Sequence, residues 1–251
     1  MSWLSTARLP RPHDPGRRDV AWRRWSENAP RPTDDSAIAL LDALFGNSPY
    51  LTETVLTDPS FMTDLWRRGP DAMHADLSTA LDAVRRQARE GVPPATVATR
   101  LRPLKRRAAL AVAVADIAGV WPLEQVTAAL SAFARDCLGA LTDAILLQLE
   151  RDQQLALKGD PDAAAFTVIG MGKLGADELN YSSDIDIILL YDRDAPALAG
   201  NEQLSRHFVR AARMLVQLIS NRSVDEFSAR YTLTALGGDK APCGVWLRVA
   251  R

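Results

Sequence analysis

The sequence predicts an α+β protein, mostly helical, with an N-terminal helical bundle followed by a strand-bearing domain. Three observations predict this. From Asp34 to Glu150, apolar residues recur at helical spacing, and Pro or Gly interrupts them at intervals. From Phe166 to Asp192 the pattern changes to two short apolar runs, FTVIGM and IILLY, around a glycine-rich connection. After Gly200-Asn201 one amphipathic stripe returns, made of Leu204, Phe208, Ala211, Leu215 and Leu218. It is read as core packing against the sheet.

The elements follow in order. Residues 1–33 are rich in Pro and Arg, with Trp3, Trp22 and Trp25 interspersed, and show no helical or strand period. They are expected to form a disordered tail. Residues 34–150 are the helical region. Asp34, Asp35 or Ser36 caps a helix bearing Ile38, Leu40, Leu41, Leu44 and Phe45. Ser48-Pro49 and Asp58-Pro59 each start another, with Pro suited to the first turn. Gly69-Pro70 breaks the chain before a helix over 72–89, and Gly91, Pro93 and Pro94 punctuate it again. A long helix over 95–117 contains Pro103, which is expected to kink or split it. Trp121-Pro122 restarts a helix running to Leu149. Residues 151–222 then form the sheet-bearing core, and 223–251 a C-terminal tail.

Composition bounds the function. The 251 residues carry a net charge of −1, so no overall electrostatic bias toward nucleic acid exists. Cys137 and Cys243 are far apart and form no CxxC, which argues against a disulfide framework or zinc site and fits a reducing cytoplasm. His13, His74 and His207 are scattered and read as surface or capping residues. The longest apolar stretch, around Ala108 to Val114, is too short to span a membrane. The N-terminus lacks the apolar segment of a signal peptide.

The segment FTVIGMGKLGADELNYSSDIDIILLYD carries the chemistry. Asp184 and Asp186 stand two apart at the start of the second apolar run, so on a strand both carboxylates share one face while Ile185 and Ile187 turn inward. Adjacent carboxylates repel unless a cation lies between them. Magnesium suits the position, because it takes a few carboxylates together with substrate phosphates. The preceding glycines let the backbone approach a bulky anion. Gly170, Gly172 and Gly175 also fit the dinucleotide fingerprint GxGxxG, but that fold needs an apolar helix between the strands, and 173–183 offers little apolar surface. A Walker A loop fails because Leu174 follows Gly172-Lys173 where Ser or Thr is required. A phosphatase-type aspartate belongs at the end of a strand, not its beginning. A plain hairpin with a solvated polar edge is the bland alternative. In the helical region, Arg100, Arg102, Lys105, Arg106 and Arg107 form a basic run. It reads either as a solvated helix face or as a phosphate or acidic-partner contact.

GMGKLGADELNYSSDIDIILLYD resembles the signature of the glutamine synthetase adenylyltransferase (adenylyl-removing) family, and most closely the N-terminal nucleotidyltransferase half of that bifunctional enzyme. The upstream LRPLKRRAALAVAVADIAGVWPLEQVTAALSAFARDCL resembles the helical region ahead of that site, so the likeness covers roughly residues 35–222. It implies a polymerase-β-like nucleotidyltransferase domain with a mixed sheet, incomplete in this chain. It also implies phosphorolysis of the AMP–tyrosine bond on glutamine synthetase, releasing ADP, in control of nitrogen assimilation. Asp184 and Asp186 would be catalytic and would ligate Mg²⁺, with two ions about 4 Å apart flanking the reacting phosphorus. Gly172, Lys173 and Ser183 would contact nucleotide or phosphate, and Arg102, Lys105 and Arg106 a phosphate or partner. The implied partners are glutamine synthetase, a PII signal protein, ATP or ADP, and phosphate. The family's third carboxylate, on a later strand, has no counterpart within the expected strand Arg230 to Leu236, and Asp225, Glu226 and Asp239 are poorly placed substitutes. The chain is therefore expected to be a truncated or frameshifted N-terminal portion, divergent from the family over 223–251 and with low or no activity alone; the alternatives are a noncatalytic fragment that binds glutamine synthetase or a PII signal protein, or a nucleotidyltransferase with another substrate.

Overall fold

The computed structural model describes residues 3–4, 9–181, 183–220, 233–236 and 243–249, the last two segments as backbone. Asp225, Glu226 and Asp239 lie outside the described residues, as does Ser182. The chain forms two compact units, the first from residues 1–79 and 104–129, the second from 80–103 and 130–251.

The first unit is helical. Its helices are α1 (Pro15–Asn28), α2 (Asp35–Asn47), α3 (Pro49–Thr57) and α4 (Pro59–Arg68), with parts of α5 (Pro70–Arg89), α6 (Pro94–Ile117) and α7 (Leu123–Arg151). The first four starts use one device. Asp14, Asp34, Ser48 and Asp58 each accept a backbone N–H of the first turn, from Arg17 (2.9 Å), Ser36 (2.8 Å), Leu51 (3.2 Å) and Phe61 (3.1 Å). Each such cap is worth about 1 kcal/mol. Pro follows three of them, its missing N–H costing nothing at that position.

The expected N-terminal tail is instead structured over Pro15–Asn28. In α1, Ala21, Trp22 and Trp25 fall on one face and are buried, Trp25 completely. Trp25 lies 5.8 Å from Trp66 and 6.4 Å from Phe45, while Trp22 meets Phe45 edge-on at 5.4 Å. Both indole N–H groups donate, Trp22 to Asp42 (2.7 Å) and Trp25 to the Pro30 carbonyl (3.1 Å). The arginines that gave the segment its loose composition lie on the outer face. Arg31 stacks over Trp22, 4.5 Å from its ring centre. Of the predicted α2 stripe, Leu40, Leu41, Leu44 and Phe45 are buried and Ile38 is half-buried.

Pro103 does not split α6, which runs unbroken from Pro94 to Ile117. Burial of Leu101, Leu104 and Ala108 around it outweighs the one lost backbone bond. The division between the two units nonetheless falls between Pro103 and Leu104.

The second unit holds the sheet. Arg85 pairs with Asp136 (2.9 Å), and Arg89 bridges Asp143 (2.9 Å) and Asp162 (2.8 Å). Four strands, β1 (Phe166–Met171), β2 (Ile185–Tyr191), β3 (Leu233–Leu236) and β4 (Cys243–Val249), stand in the order β1-β2-β4-β3. Every described pairing is antiparallel, so the sheet is not mixed as expected. The link from β1 to β2 contains only α8 (Gly172–Gly175), a single helical turn, and so carries no crossover helix of the kind a parallel pair uses. The same fact removes the dinucleotide-binding alternative, which needs parallel strands. β3 lies within the strand expected over 230–236, while β4 had no counterpart in the sequence reading.

One sheet face is closed by α9 (Leu204–Ser220). Phe208 stacks on Tyr191 (4.2 Å) and Phe166 (5.2 Å), and Tyr191 and Ser205 hydroxyls meet at 2.9 Å. Leu204, Phe208, Ala211 and Leu215 are buried, as the stripe predicts. Ile187, Leu189 and Tyr191 are buried on the same parity of β2, which puts Asp186, Ile188 and Leu190 on the other face.

Candidate functional site

The site grows from the β1–β2 connection. β1 ends at Met171, which pairs with Asp186, and Gly170 pairs with Ile187. The chain then turns through α8, and Leu174 folds back, almost fully buried, over Gly170. A Cβ on Gly170 would sit 2.9 Å from Leu174 Cγ, and one on Gly175 only 2.5 Å from the Gly170 carbonyl oxygen. These two glycines are thus required by the packing of the turn on its own strand. Gly172 differs. Its φ of +53° is a left-handed conformation, and a Cβ there would meet Asp186 Oδ2 at 3.7 Å. The exposed backbone of Gly172 therefore lies directly beside the Asp186 carboxylate, with exposed Lys173 next in the chain.

Residues 176–184 return to β2 along a fastened path. Asp177, itself at φ +59°, forms an ion pair with Arg135 of α7. One turn earlier on α7, buried Ser131 accepts the Leu179 N–H at 3.1 Å, and Leu179 is buried. Ser131 and Arg135, four apart on one helix face, hold the connection from the same side. The sequence reading missed both, since the contacts span 48 and 42 residues and leave no local signal. Ser183 closes the path. Its hydroxyl donates to Asn180 Oδ1 (2.8 Å) and accepts the Asn180 N–H (3.0 Å). Ser183 is buried and its single proton is engaged there, so this geometry makes it a staple of the connection rather than an outward phosphate donor.

Asp184 immediately precedes β2 and Asp186 lies within it, both half-buried. Ile187 is fully buried and Ile185 half-buried. On its other side Asp186 stands opposite Arg248 of β4 in the sheet register. Among the described residues no group of three His, Cys, Asp or Glu gathers to hold a metal. The Asp186 carboxylate beside an exposed glycine backbone, with Asp184 two residues earlier, still matches the donor set magnesium uses, which is completed by water and phosphate oxygens. This is not the solvated polar edge of a plain hairpin, since the carboxylates are half-buried and the link is fixed at Ser131 and Arg135.

The structure thus brings Gly172, Lys173, Ser183, Asp184 and Asp186 onto one connection of the second unit. The basic run is divided. Arg102 belongs to the second unit, Lys105 and Arg106 to the first. Arg107 is committed to Asp58 (2.7 Å) and lies over Phe61, 5.3 Å from its ring centre. Burial would raise the Asp58 carboxyl, but Arg107, Ser60 and the Phe61 N–H hold it below its ordinary value. His13, His74 and His207 remain apart, and His74 packs edge-on against Trp121 at 5.3 Å. No helix among the described residues is long and apolar enough to cross a membrane.

Comparison with known proteins gives the same direction. Among curated relatives, the bifunctional glutamine synthetase adenylyltransferase/adenylyl-removing enzyme of Rhodopseudomonas palustris (strain BisB5) is 37% identical over 190 residues, 74% of this chain and 19% of the relative. The protein of the same name from strain TIE-1 is 35% identical over 241 residues, covering 89% of this chain and 24% of the relative. That of Rhizobium meliloti (strain 1021) is 33% identical over 201 residues, covering 77% and 20%. The chain thus spans about a fifth to a quarter of the length of these relatives. A family model described as glutamate-ammonia ligase adenylyltransferase matches residues 38–231, which include the whole of the Gly172–Asp186 site, and the chain belongs to that family.

Proposed function

We propose that this chain is the deadenylylating nucleotidyltransferase portion of a glutamine synthetase-modifying enzyme, working in the cytoplasm. The observation that carries this is the Asp186 carboxylate set against the exposed, left-handed Gly172, with Asp184 two residues earlier on the same parity. A phosphate oxygen attacks the phosphorus of the AMP–tyrosine diester on glutamine synthetase. The bond from phosphorus to the tyrosine oxygen breaks, that oxygen takes a proton, and ADP leaves. Gly172 offers backbone without a side chain to a phosphate, and Lys173 supplies a cation there. Asp184 and Asp186 hold Mg²⁺. When bound, the metal neutralises charge developing on the phosphoryl oxygens. Ser131, Arg135 and Ser183 keep the connection in place, and so fix the direction of the two carboxylates.

The basic run on α6 is proposed as a contact for an acidic partner surface, on glutamine synthetase or a PII signal protein. Arg102, Lys105 and Arg106 serve it, Arg107 being held by Asp58. The test is ADP formation from adenylylated glutamine synthetase, phosphate and Mg²⁺, with Asp184→Asn/Asp186→Asn as control. ADP from the original chain alone supports the reading. Equal ADP from both chains overturns the assignment of the carboxylates. No ADP from either replaces the enzyme by a fragment inactive without its third carboxylate, or, where glutamine synthetase is still captured, by a binding module.

A further inference from the structure

α9 carries a second chemical feature, remote from the carboxylates. Arg206, Arg210 and Arg213 follow i, i+4, i+7 spacing and share one face, opposite the stripe that packs on the sheet. The helix contains no carboxylate. Arg206 and His207 sit in its first turn, where the helix dipole is already positive and added cations are unfavourable. With Gln154 and Gln203 these four side chains line a concavity of about 380 Å³. Arg210 is balanced by Asp152 at 3.1 Å. Among the described residues, neither Arg206 nor Arg213 has an ion pair. Gln154 is half-buried, and its side-chain oxygen, a hydrogen-bond acceptor, is buried without a partner among those residues. Guanidiniums along one helix face, two of them without carboxylate partners, line a concavity that an anion would neutralise, and a hydroxyl on that anion would donate to the Gln154 oxygen.

We infer that this concavity is a binding site for a small phosphate-bearing anion, separate from the Asp184/Asp186 position. The separation follows from topology. Ser205, next to Arg206, bonds Tyr191, five residues beyond Asp186 and so about 17 Å along the strand. α9 also covers the sheet face opposite to the one that carries Asp186. The volume admits a small organic phosphate as well as inorganic phosphate. Two forked guanidiniums without carboxylate partners favour an anion of at least two charges.

The test is calorimetric titration of the full chain, without magnesium and at low salt, with inorganic phosphate, pyrophosphate and ATP as separate probes. At least one should bind saturably. Arg206→Gln/Arg213→Gln should weaken that binding tenfold or more, and Asp184→Asn/Asp186→Asn should leave it within twofold. Arg206→Lys/Arg213→Lys, which keeps the charge but loses the fork, should fall between. Both arginines are exposed, and unchanged circular dichroism of these variants establishes that the fold is intact. Binding by phosphate and pyrophosphate as tightly as by ATP identifies an inorganic phosphate site, and binding by ATP alone a nucleotide site. Equal binding by the Arg206→Gln/Arg213→Gln variant overturns the inference. So does loss of binding with the aspartates, or no saturable binding of any probe. Because the aspartate variant is an arm of the experiment, failure here leaves the proposed deadenylylation untouched.

Discussion

At Gly46 in the helical unit and Gly175 in the sheet unit, one stretch of chain crosses another with no room for a side chain. A Cβ on Gly46 would lie 2.4 Å from Pro12 Cβ, and one on Gly175 would lie 2.5 Å from the Gly170 carbonyl oxygen. The distances are nearly equal, yet the sequence presents them in opposite lights. Gly46 gives no signal, because its partner lies in a Pro- and Arg-rich stretch whose composition suggests looseness. Gly175 gives a strong one, because it belongs to a glycine motif and motif glycines invite a ligand reading. The comparison teaches that a glycine reports a close approach without reporting what approaches. At Gly170 and Gly175 it is the turn itself, and only Gly172 has the exposed, left-handed backbone beside Asp186 that a ligand reading needs.

The sharpest way to break this comparison is at Trp25. If residues 15–28 were the loose tail their composition suggests, Trp25→Ala would leave stability unchanged. The buried indole, tilted against Trp66 and Phe45, leads us to expect a loss of about 3–5 kcal/mol in urea denaturation. A change below about 0.5 kcal/mol, the ordinary range for surface positions, would restore the tail.

The two glycines themselves come next. Gly175→Ala drives a methyl into a carbonyl that belongs to β1, and neither can yield without moving the strand. The expected cost is about 1–3 kcal/mol, the usual range for overpacking. ADP release should fall with it, because the shift reaches Gly172 and Asp186. Gly46→Ala meets Pro12 Cβ and Cα, in a segment tied back by the Asp14 N–H on the Gly46 carbonyl (3.0 Å) and by Asn47 on His13 and Arg11, and should cost about as much as Gly175→Ala in the same titration. A much smaller cost would show that the N-terminal crossing yields where the β1 crossing does not.

Much of this was legible from sequence because it is local. Ser48-Pro49 and Asp58-Pro59 announce α3 and α4 through the cap and the first-turn proline, and the α2 and α9 stripes mark their buried faces. Asp14-Pro15 carries the same signal and was outweighed by the arginines around it, although a cap is set by position and not by average composition. The paired aspartates and the glycine turn were readable as neighbours because two residues on one strand parity share a face. What could not be read is long-range. The antiparallel register, the fastening by Ser131 and Arg135, and the inward turn of Ser183 depend on contacts that sequence spacing does not encode.

That fastening gives a smaller and more selective effect. Ser131→Ala leaves the Leu179 N–H buried without its acceptor, which costs about 1–3 kcal/mol in principle, and less if water enters. Ser131→Thr keeps the hydroxyl. The expected pattern is reduced kcat for ADP release in Ser131→Ala, KM for phosphate nearly unchanged, and recovery in Ser131→Thr. An equal loss in both variants would assign the effect to packing volume rather than to the hydrogen bond.

The smallest effect lies in the helical unit and depends on pH. Burial pushes the His74 imidazole below its ordinary 6.5, against the opposing pull of Asp71, while its ring packs on Trp121. Above 6.5 the side chain is neutral in both folded and unfolded chains and contributes no pH dependence. As pH falls through 6.5 the unfolded chain takes up the proton first, so stability drops until the lower folded pKa is passed. Asp58, held below its usual carboxylate value, acts in a separate window, its contribution being lost only as pH falls below about 4. The two can therefore be told apart. Urea midpoints near pH 7.5 and 5.5 should differ in the original chain, and the difference should shrink in His74→Gln. If the variant shows the same pH slope, the titrating group lies elsewhere and His74 contributes none of the acid sensitivity.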